Sequence, residues 1–477
     1  MAQPIRLQGD PCSGRASFPL KARAAALWLD DAGLSHTLRD GKRLVRFVRY
    51  RDITHVHTTR RGLLLGTRKS IYVFWRSQFR DVGAPEIVAR SLGARIATQP
   101  GGLEQLARIE AVDRRLRSPT RRWATRGVAV LCGLVFGLQL LDPFALHVGD
   151  YVPGLVRQGE LWRVVTANFL HAALLFPPHL LINLLCILGF GLLVEQPLGA
   201  ARTLSIMGAS AVGAMVGSHA ANYQDVVGAS GIVTGLAGAI LCLELQWPDQ
   251  LPACWRLPRR LFVVALLFQV ILDWYLPFVA GAAHLGGFAA GWLATRVVAG
   301  SALSGRGVAD LPVRFAAVAV VAVTLLALMS TGPLLLRRSS ALELHAGRLL
   351  GVSESLPIRF NEVAWRMVTE AQLGPEGLML AVELAERAVA ETERMDPDVL
   401  DTLAEALFAA GDRPGAIATI DEAIFITGGE SYYVEQLRRF TGERAPDDRP
   451  APPAIPWQFR PRPDPPAPEP DEPGIFI

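Results

Sequence analysis

Seven apolar segments, at roughly 127–146, 178–198, 203–221, 227–246, 261–279, 282–300 and 314–335, fill the middle of this 477-residue chain. Each is close to the ~20 residues that an α-helix needs to cross the hydrocarbon of a bilayer. A segment in hydrocarbon must satisfy its backbone polar groups internally, which for single runs of this length means helix. The chain is therefore predicted to be a mainly α, polytopic membrane protein. Composition agrees, with 51% hydrophobic residues against 19% charged. The apolar mass lies between Gly127 and Leu336, and both ends read as ordinary soluble sequence.

The arginines set the orientation. A collar of Arg114, Arg115, Arg117, Arg121, Arg122 and Arg126 precedes the first segment. If every segment crosses once, Arg202, then Arg256, Arg259 and Arg260, then Arg306 fall in loops on the same side as the collar. Arg157 and Arg163, in the long loop after the first segment, fall on the other. Positive charge favours the cytoplasmic side, so the N-terminus is expected inside. The start, Met1-Ala2-Gln3-Pro4, has no apolar core of the signal-peptide kind. A net charge of +4 is too small to argue for a nucleic-acid partner.

This topology has a chemical consequence. The second, fourth and sixth segments all run from outside to inside. His179 and Asn183 then lie in the first turns of the second, Ser230 at the head of the fourth and His284 at the head of the sixth. All four converge at similar shallow depth below the outer face. Polar and ionisable groups in hydrocarbon are costly and usually functional. His179 and Asn183, four residues apart, share one helix face. The pairs Gly231/Gly235, Gly287/Gly291 and Gly213/Gly217 have the small-xxx-small spacing that lets membrane helices approach closely. On the fourth and sixth segments, close approach would bring the Ser230 hydroxyl within reach of the His284 ring.

In order, the motifs are Trp162-Arg163, then Thr166, Phe169 and His171, His179-x-x-x-Asn183, Gly228-Ala229-Ser230-Gly231, and Ala283-His284-x-x-Gly287-x-x-x-Gly291. Gly-x-Ser-Gly alone is a weak signal, but the whole set, over roughly residues 125–335, resembles the rhomboid family of intramembrane serine proteases. The resemblance implies a seven-helix, six-plus-one bundle and a catalytic dyad of Ser230 as nucleophile and His284 as general base and acid. His179, Asn183 and the Ser230 backbone N–H would form the oxyanion hole. Trp162 and Arg163 would be structural, as would Gly228, Gly231, Gly287 and Gly291. His171 departs from the family spacing, lying eight residues before His179 with Phe176-Pro177-Pro178 between, which reads as a short loop insertion. The implied activity is cleavage of transmembrane protein substrates near the outer face, in a multi-pass protein expected in a bacterial inner membrane.

Rival readings are a silent rhomboid-like adaptor, which would lack the serine or histidine, and a channel, which would need polar rows along several spans. No cofactor is expected. His-Glu-x-x-His is absent, His55 and His57 have no third ligand in sequence, and five scattered cysteines (Cys12, Cys132, Cys186, Cys242, Cys254) lack a CxxC, so no metal is expected either. Asp273, beside Trp274 and Tyr275, reads as reaching water at the outer end of its span.

Flanking regions complete the expected plan. Residues 1–120 carry β-rich runs at 44–48, 53–57 and 71–75 and a helix-like stretch at 85–92, a small β-rich domain resembling a pleckstrin-homology barrel. It would bind lipid headgroups or act as a protein-interaction module. The membrane domain is placed at 121–336. Residues 340–445 read as helical repeats: Ala381–Val389 and Ala416–Ile424 match at an offset of 35, near the ~34-residue tetratricopeptide period. They would form a scaffold for a protein partner, on the extracytoplasmic side because the spans are odd in number. The tail at 446–477, dense in Pro, Asp and Glu, is expected to be disordered.

Overall fold

The computed structural model describes residues 16–21, 26–37, 45–67, 70–117, 122–172, 178–223, 225–251, 256–257, 259–276, 279–303, 310–453 and 457. The chain forms two compact units, one of Met1–Leu141 with Val164–Leu325, the other of Asp142–Arg163 with Leu326–Ile477.

The first unit begins with two antiparallel sheets. Strands β1 (Ala16–Pro19), β2 (Ala26–Leu29), β3 (Gly33–Thr37) and β4 (Val45–Arg49) pair in sequence order, as do β5 (Ile53–Thr59), β6 (Gly62–Thr67) and β7 (Ile71–Trp75). Helices α1 (Ala84–Ala97) and α2 (Gly102–Arg117) follow. Val88, Leu92 and Ile96 recur at helical spacing, and they bury one stripe of α1 against Leu27, Leu29, Leu34, Leu63 and Leu65. The expected strands and helix fall on β4, β5, β7 and α1. The remaining strands and α2 were not marked by the β-rich runs. His55 stacks on His57 at 5.8 Å, and His57 is paired with Asp113 of α2, so this histidine pair is engaged within the domain.

Helix α3 (Trp123–Leu141) falls on the first apolar segment. After short helices α4 (Phe144–Gly149), α5 (Pro153–Arg157) and α6 (Arg163–Thr166), the other six segments become α7 (Pro178–Leu198), α8 (Ala200–Ala220), α9 (Ser230–Gln246), α10 (Arg259–Tyr275), α11 (Gly281–Leu303) and α12 (Leu311–Leu335). Among the described residues α3, α7 and α12 are long and apolar enough to cross a membrane, and α9 and α10 contain shorter apolar runs. Helices α8 and α11 dilute their hydropathy with Gly, Ala and Ser, the residues that let backbones touch. Bare apolar side chains such as Val264, Phe268, Val318, Leu325 and Met329 make the outward faces of α10 and α12 surfaces for lipid, not water. The protein is an integral membrane protein.

Two buried charges close helix ends in this bundle. Glu195 of α7 accepts from the Ala124 and Thr125 amides at 3.1 and 2.9 Å and from the Thr125 hydroxyl at 2.6 Å, at the positive N-terminus of α3. Arg202 of α8 donates to the Val298 carbonyl at 3.0 Å and to Ser301 Oγ at 2.9 Å, near the negative end of α11. Each sign sits where the helix dipole favours it.

The second unit combines the loop 142–163 with α13 (Ser339–Leu350), α14 (Pro357–Glu370), α15 (Pro375–Glu391), α16 (Pro397–Ala409), α17 (Arg413–Thr427) and α18 (Ser431–Thr441). Prolines at the first turns of α14 to α17 start helices where an N–H would be unsatisfied anyway. Asp396 and Asp412 cap α16 and α17 through the Asp398 and Gly415 amides, each at 3.0 Å. Gly428 and Gly442 end α17 and α18 in left-handed conformation. The matched strings at 381–389 and 416–424 lie on α15 and α17, the second members of two helix pairs. Phe144, Val148, Val152 and Leu155 from the loop share one core with Leu342, Leu349 and Phe360.

Candidate active site

Ser230 is the first residue of α9, and His284 lies in the first turn of α11. His284 Nε2 stands 2.8 Å from Ser230 Oγ, a hydrogen bond between two half-buried groups. Glycines bring the two helices to this distance. A Cβ on Gly287 would run into the Gly231 carbonyl, and one on Gly291 into that of Gly235. Gly231 faces Ala214 of α8 just as closely. The small residues at 213 and 217 do the same between α8 and α11, as ordinary close packing.

Gly228 has a φ of +124°, which side-chain-bearing residues rarely adopt. A Cβ there would also stand 3.0 Å from His179 Nε2 and 3.8 Å from Ser230 Oγ, so the missing side chain is what admits the His179 ring beside the serine turn. The Gly228 amide is tied to the Ala167 carbonyl at 2.9 Å, fixing the turn from the other side. Asn183 is buried one turn along α7 and donates one amide hydrogen to the His179 carbonyl at 3.0 Å. Its second N–H is left for another acceptor.

His171 is fully buried, its ring edge-on to His179 with centroids 5.2 Å apart. Gln139 of α3 holds it by a reciprocal pair of 3.0 Å bonds between the Gln139 amide and the His171 main chain. Gln139 was invisible to motif reading, since one amide in an apolar helix has no spacing to announce it. Residues 173–177, where the loop insertion was expected to fall together with Pro178, and the Asp273 side chain lie outside the described residues.

Trp162 and Arg163 sit in a polar cluster of the second unit. Trp162 Nε1 donates to the Val148 carbonyl at 3.0 Å. Arg163 donates Nε to Glu160 at 2.7 Å and Nη1 to Asp150 at 2.7 Å. The second oxygen of Glu160 accepts from His345 Nδ1 of α13 at 2.6 Å, and Asp150 is also paired with Arg359 of α14. Asp150, Glu160, Arg163, His345 and Arg359 are each at most 4% exposed. Burial pushes the Glu160 carboxyl up, but His345 and Arg163 outweigh it and hold its pKa at about 2. Burial pushes the His345 imidazole down, against the opposing pull of Glu160. Arg348, partly exposed, also lies 3.8 Å from Glu160, so the two carboxylates are met by three guanidiniums. His345 and Arg359 gave no signal in the sequence, because their partners lie some two hundred positions away.

A cavity of about 810 Å³ in the first unit, between α3, α8 and α12, is not at this site. Its walls are side chains such as Val128, Leu131, Met207, Val212 and Val320, which offer no acid, base or nucleophile. A big apolar pocket is the usual first guess for an active site. Neither Ser230 nor His284 lines this one.

A serine–histidine pair thus lies where the apolar helices of a polytopic membrane protein touch backbone to backbone. A Rhomboid domain profile matches residues 158–301. The chain is 31% identical over 140 residues to "Putative rhomboid protease YdcA" of Bacillus subtilis (strain 168), covering 29% of this chain and 67% of that one. It is 33% identical over 156 residues to "RHOMBOID-like protein 5" of Arabidopsis thaliana, covering 31% and 48%. It is 33% identical over 140 residues to "Rhomboid-like protease 3" of Toxoplasma gondii, covering 28% and 49%. It thus spans half or less of the curated plant relatives it matches. The chain belongs to the rhomboid family, a family of membrane proteases.

Proposed function

We propose that the protein is an intramembrane serine endopeptidase that cuts transmembrane proteins near the outer membrane face. The observation that carries this reading is the 2.8 Å hydrogen bond between Ser230 Oγ and His284 Nε2. Ser230 attacks the scissile carbonyl carbon while its proton passes to His284 Nε2. The oxyanion accepts hydrogen bonds from the Ser230 N–H, His179 and the remaining Asn183 N–H. Collapse breaks the C–N bond, His284 protonates the departing amine, and an acyl-serine ester remains. Water, deprotonated by His284, then releases the acid and restores the hydroxyl. Because a helical carbonyl is already bonded and shielded, substrates with weakly helical segments and small residues at the cut are favoured.

The proposed division is a cytoplasmic β-rich domain at 1–120, a protease domain at 121–336, a helical-repeat scaffold for a protein partner at 340–445 and a tail at 446–477. In this scheme the N-terminus is cytoplasmic and the repeats extracytoplasmic, in a bacterial inner membrane. The shared core of the repeats and the loop after the first span supports placing both on one side of the membrane. Arginine placement supports the orientation of the N-terminus.

The test is labelling of detergent-solubilised protein with a fluorophosphonate probe, alongside cleavage of a transmembrane reporter. Wild type should label and cut, and Ser230→Ala and His284→Ala should do neither. Folded wild-type protein that never labels or cuts would replace the protease reading with a client-binding adaptor.

A further inference from the structure

The C-terminal helices leave a groove, and the chain's own tail lies in it. Helices α14, α16 and α18 line a cavity of about 260 Å³ with Trp365, Asp398, Thr402 and Tyr432 on one side and Pro452 and Pro453 on the other. The tail enters after α18. Its Pro446 carbonyl accepts from Arg439 at 2.8 Å. Arg449 donates to Glu405 at 2.8 Å and lies over the Trp365 ring at 5.7 Å. Further on, the Trp457 amide donates to Asp398 Oδ2 at 2.6 Å, while Tyr433 orients the other oxygen of Asp398 at 2.6 Å.

Each contact has a recognisable logic. A carboxylate that takes a backbone N–H reads main chain whatever its sequence. Pro452 and Pro453 line the same cavity as Trp365 and Tyr432, and a proline-rich segment loses little chain entropy on binding. Glu405 with the Trp365 face selects a cation, and Arg suits both. The open volume between tail and wall indicates that the tail does not fill the groove. A better-fitting segment has room.

We propose that the face formed by α14, α16 and α18 is a receptor for a proline-containing peptide with a basic residue, and that tail residues 446–453 and 457 occupy it in cis. The proposal rests on reading these helices as a binding scaffold and is independent of the protease chemistry. A partner carrying such a segment would have to displace the tail, so tail release and partner capture would be one event.

The test uses full-length protein, a chain ending at Arg444, and an intact chain with Arg449→Glu and Trp457→Pro, the second of which removes the donating amide. The probe is a fluorescent peptide of residues 445–458, read by anisotropy, with a scrambled peptide as control. A tethered ligand at an effective concentration on the order of millimolar should compete out a peptide of ~100 μM affinity about tenfold. The truncated and double-substituted chains should therefore bind roughly ten times more tightly than the full-length protein, and Trp365→Ala in the truncated chain should abolish the gain. Thermal melts of each variant establish that the helices remain folded. A folded truncated chain that ignores the peptide would overturn the peptide class while leaving the scaffold open to other ligands. Equal binding by full-length and truncated chains would overturn the occupancy in cis.

Discussion

The Ser230–His284 pair and the cluster around Arg163 solve the same problem in opposite ways. Both take polar side chains out of water. The first is one hydrogen bond between half-buried groups, among glycines and alanines. The second is nearly sealed, with two guanidiniums, two carboxylates and a histidine drawn from a loop and two helices. For the role proposed for it, exchanging protons and admitting a substrate, the pair has to stay accessible and weakly committed. A cluster that fixes a loop gains from saturating its partners, because any charge left unpaired there would be expensive. The chain links the two directly: four residues after Arg163, the Ala167 carbonyl holds the amide of Gly228 beside the serine turn.

If that division of labour holds, the sharpest contrast comes from deleting reactive atoms. Ser230→Ala should lower reporter cleavage by roughly 10⁴-fold or more while leaving the melting temperature within a degree or two of wild type. A variant that lost comparable stability would show that Ser230 is a packing residue and would erase the contrast.

The reverse is expected at the cluster. Arg359→Met leaves Asp150 with Arg163 alone in a dry setting and should destabilise the second unit by about 3–5 kcal/mol, as breaking a buried pair does. Replacing Arg359 and Asp150 together with apolar residues should recover much of that loss. If Arg359→Met melts like wild type, the loop is not fastened by charge. Fluorophosphonate labelling of the same variant sharpens the comparison, since labelling should fall if the loop helps hold the serine turn.

Gly287→Ala touches the border of the two behaviours. Its methyl would enter the space of the Gly231 carbonyl, so α9 and α11 must part, at ~1–3 kcal/mol. Labelling of Ser230 should fall further than stability, because a hydrogen bond weakens steeply with separation whereas packing relaxes. Equal loss of both would mean that the helices merely need bulk removed.

How far all this could be read in advance divides along the same line. The dyad was legible because both residues and their glycines lie on short local motifs, and hydropathy alone framed the helices that carry them. His179 was legible for the same reason. Its partner in shape, Gly228, was marked as structural, but the sequence did not say that the missing side chain makes room for an imidazole. Gln139, Glu195, Asp150, His345 and Arg359 were silent because each is defined by a partner far along the chain. A single Glu in an apolar segment looks like an error until the N-terminus it caps is in place. The tail at 446–477 was read as disordered from its composition; its described residues Pro446, Arg449 and Trp457 contact the helices, which composition does not announce.

The smallest effect is the most discriminating, because it separates charge from packing within the cluster. Burial lowers the pKa of His345 from 6.5, so the folded protein refuses a proton that the unfolded chain accepts. Stability contributed here is whole above 6.5 and declines as pH falls below it. Glu160, lowered from 4.5 to about 2, loses its share in a second window between those values. The melting temperature of wild type should therefore fall from pH 7 to 5, before ordinary carboxylates titrate. His345→Gln keeps a donor toward Glu160 without a titrating ring and should melt lower than wild type at pH 7 but lose less on going to pH 5. His55, whose pKa burial holds at about 4, contributes equally to both proteins and cancels in the difference. Parallel curves would mean that His345 titrates alike in the folded and unfolded chain, whereas a wild type that gains on the variant toward pH 5 would mean that His345 is charged in the folded state. Either result would remove burial of the imidazole as the source of the cluster's pH dependence and leave its packing and ion pairs to account for the contrast with the Ser230–His284 pair.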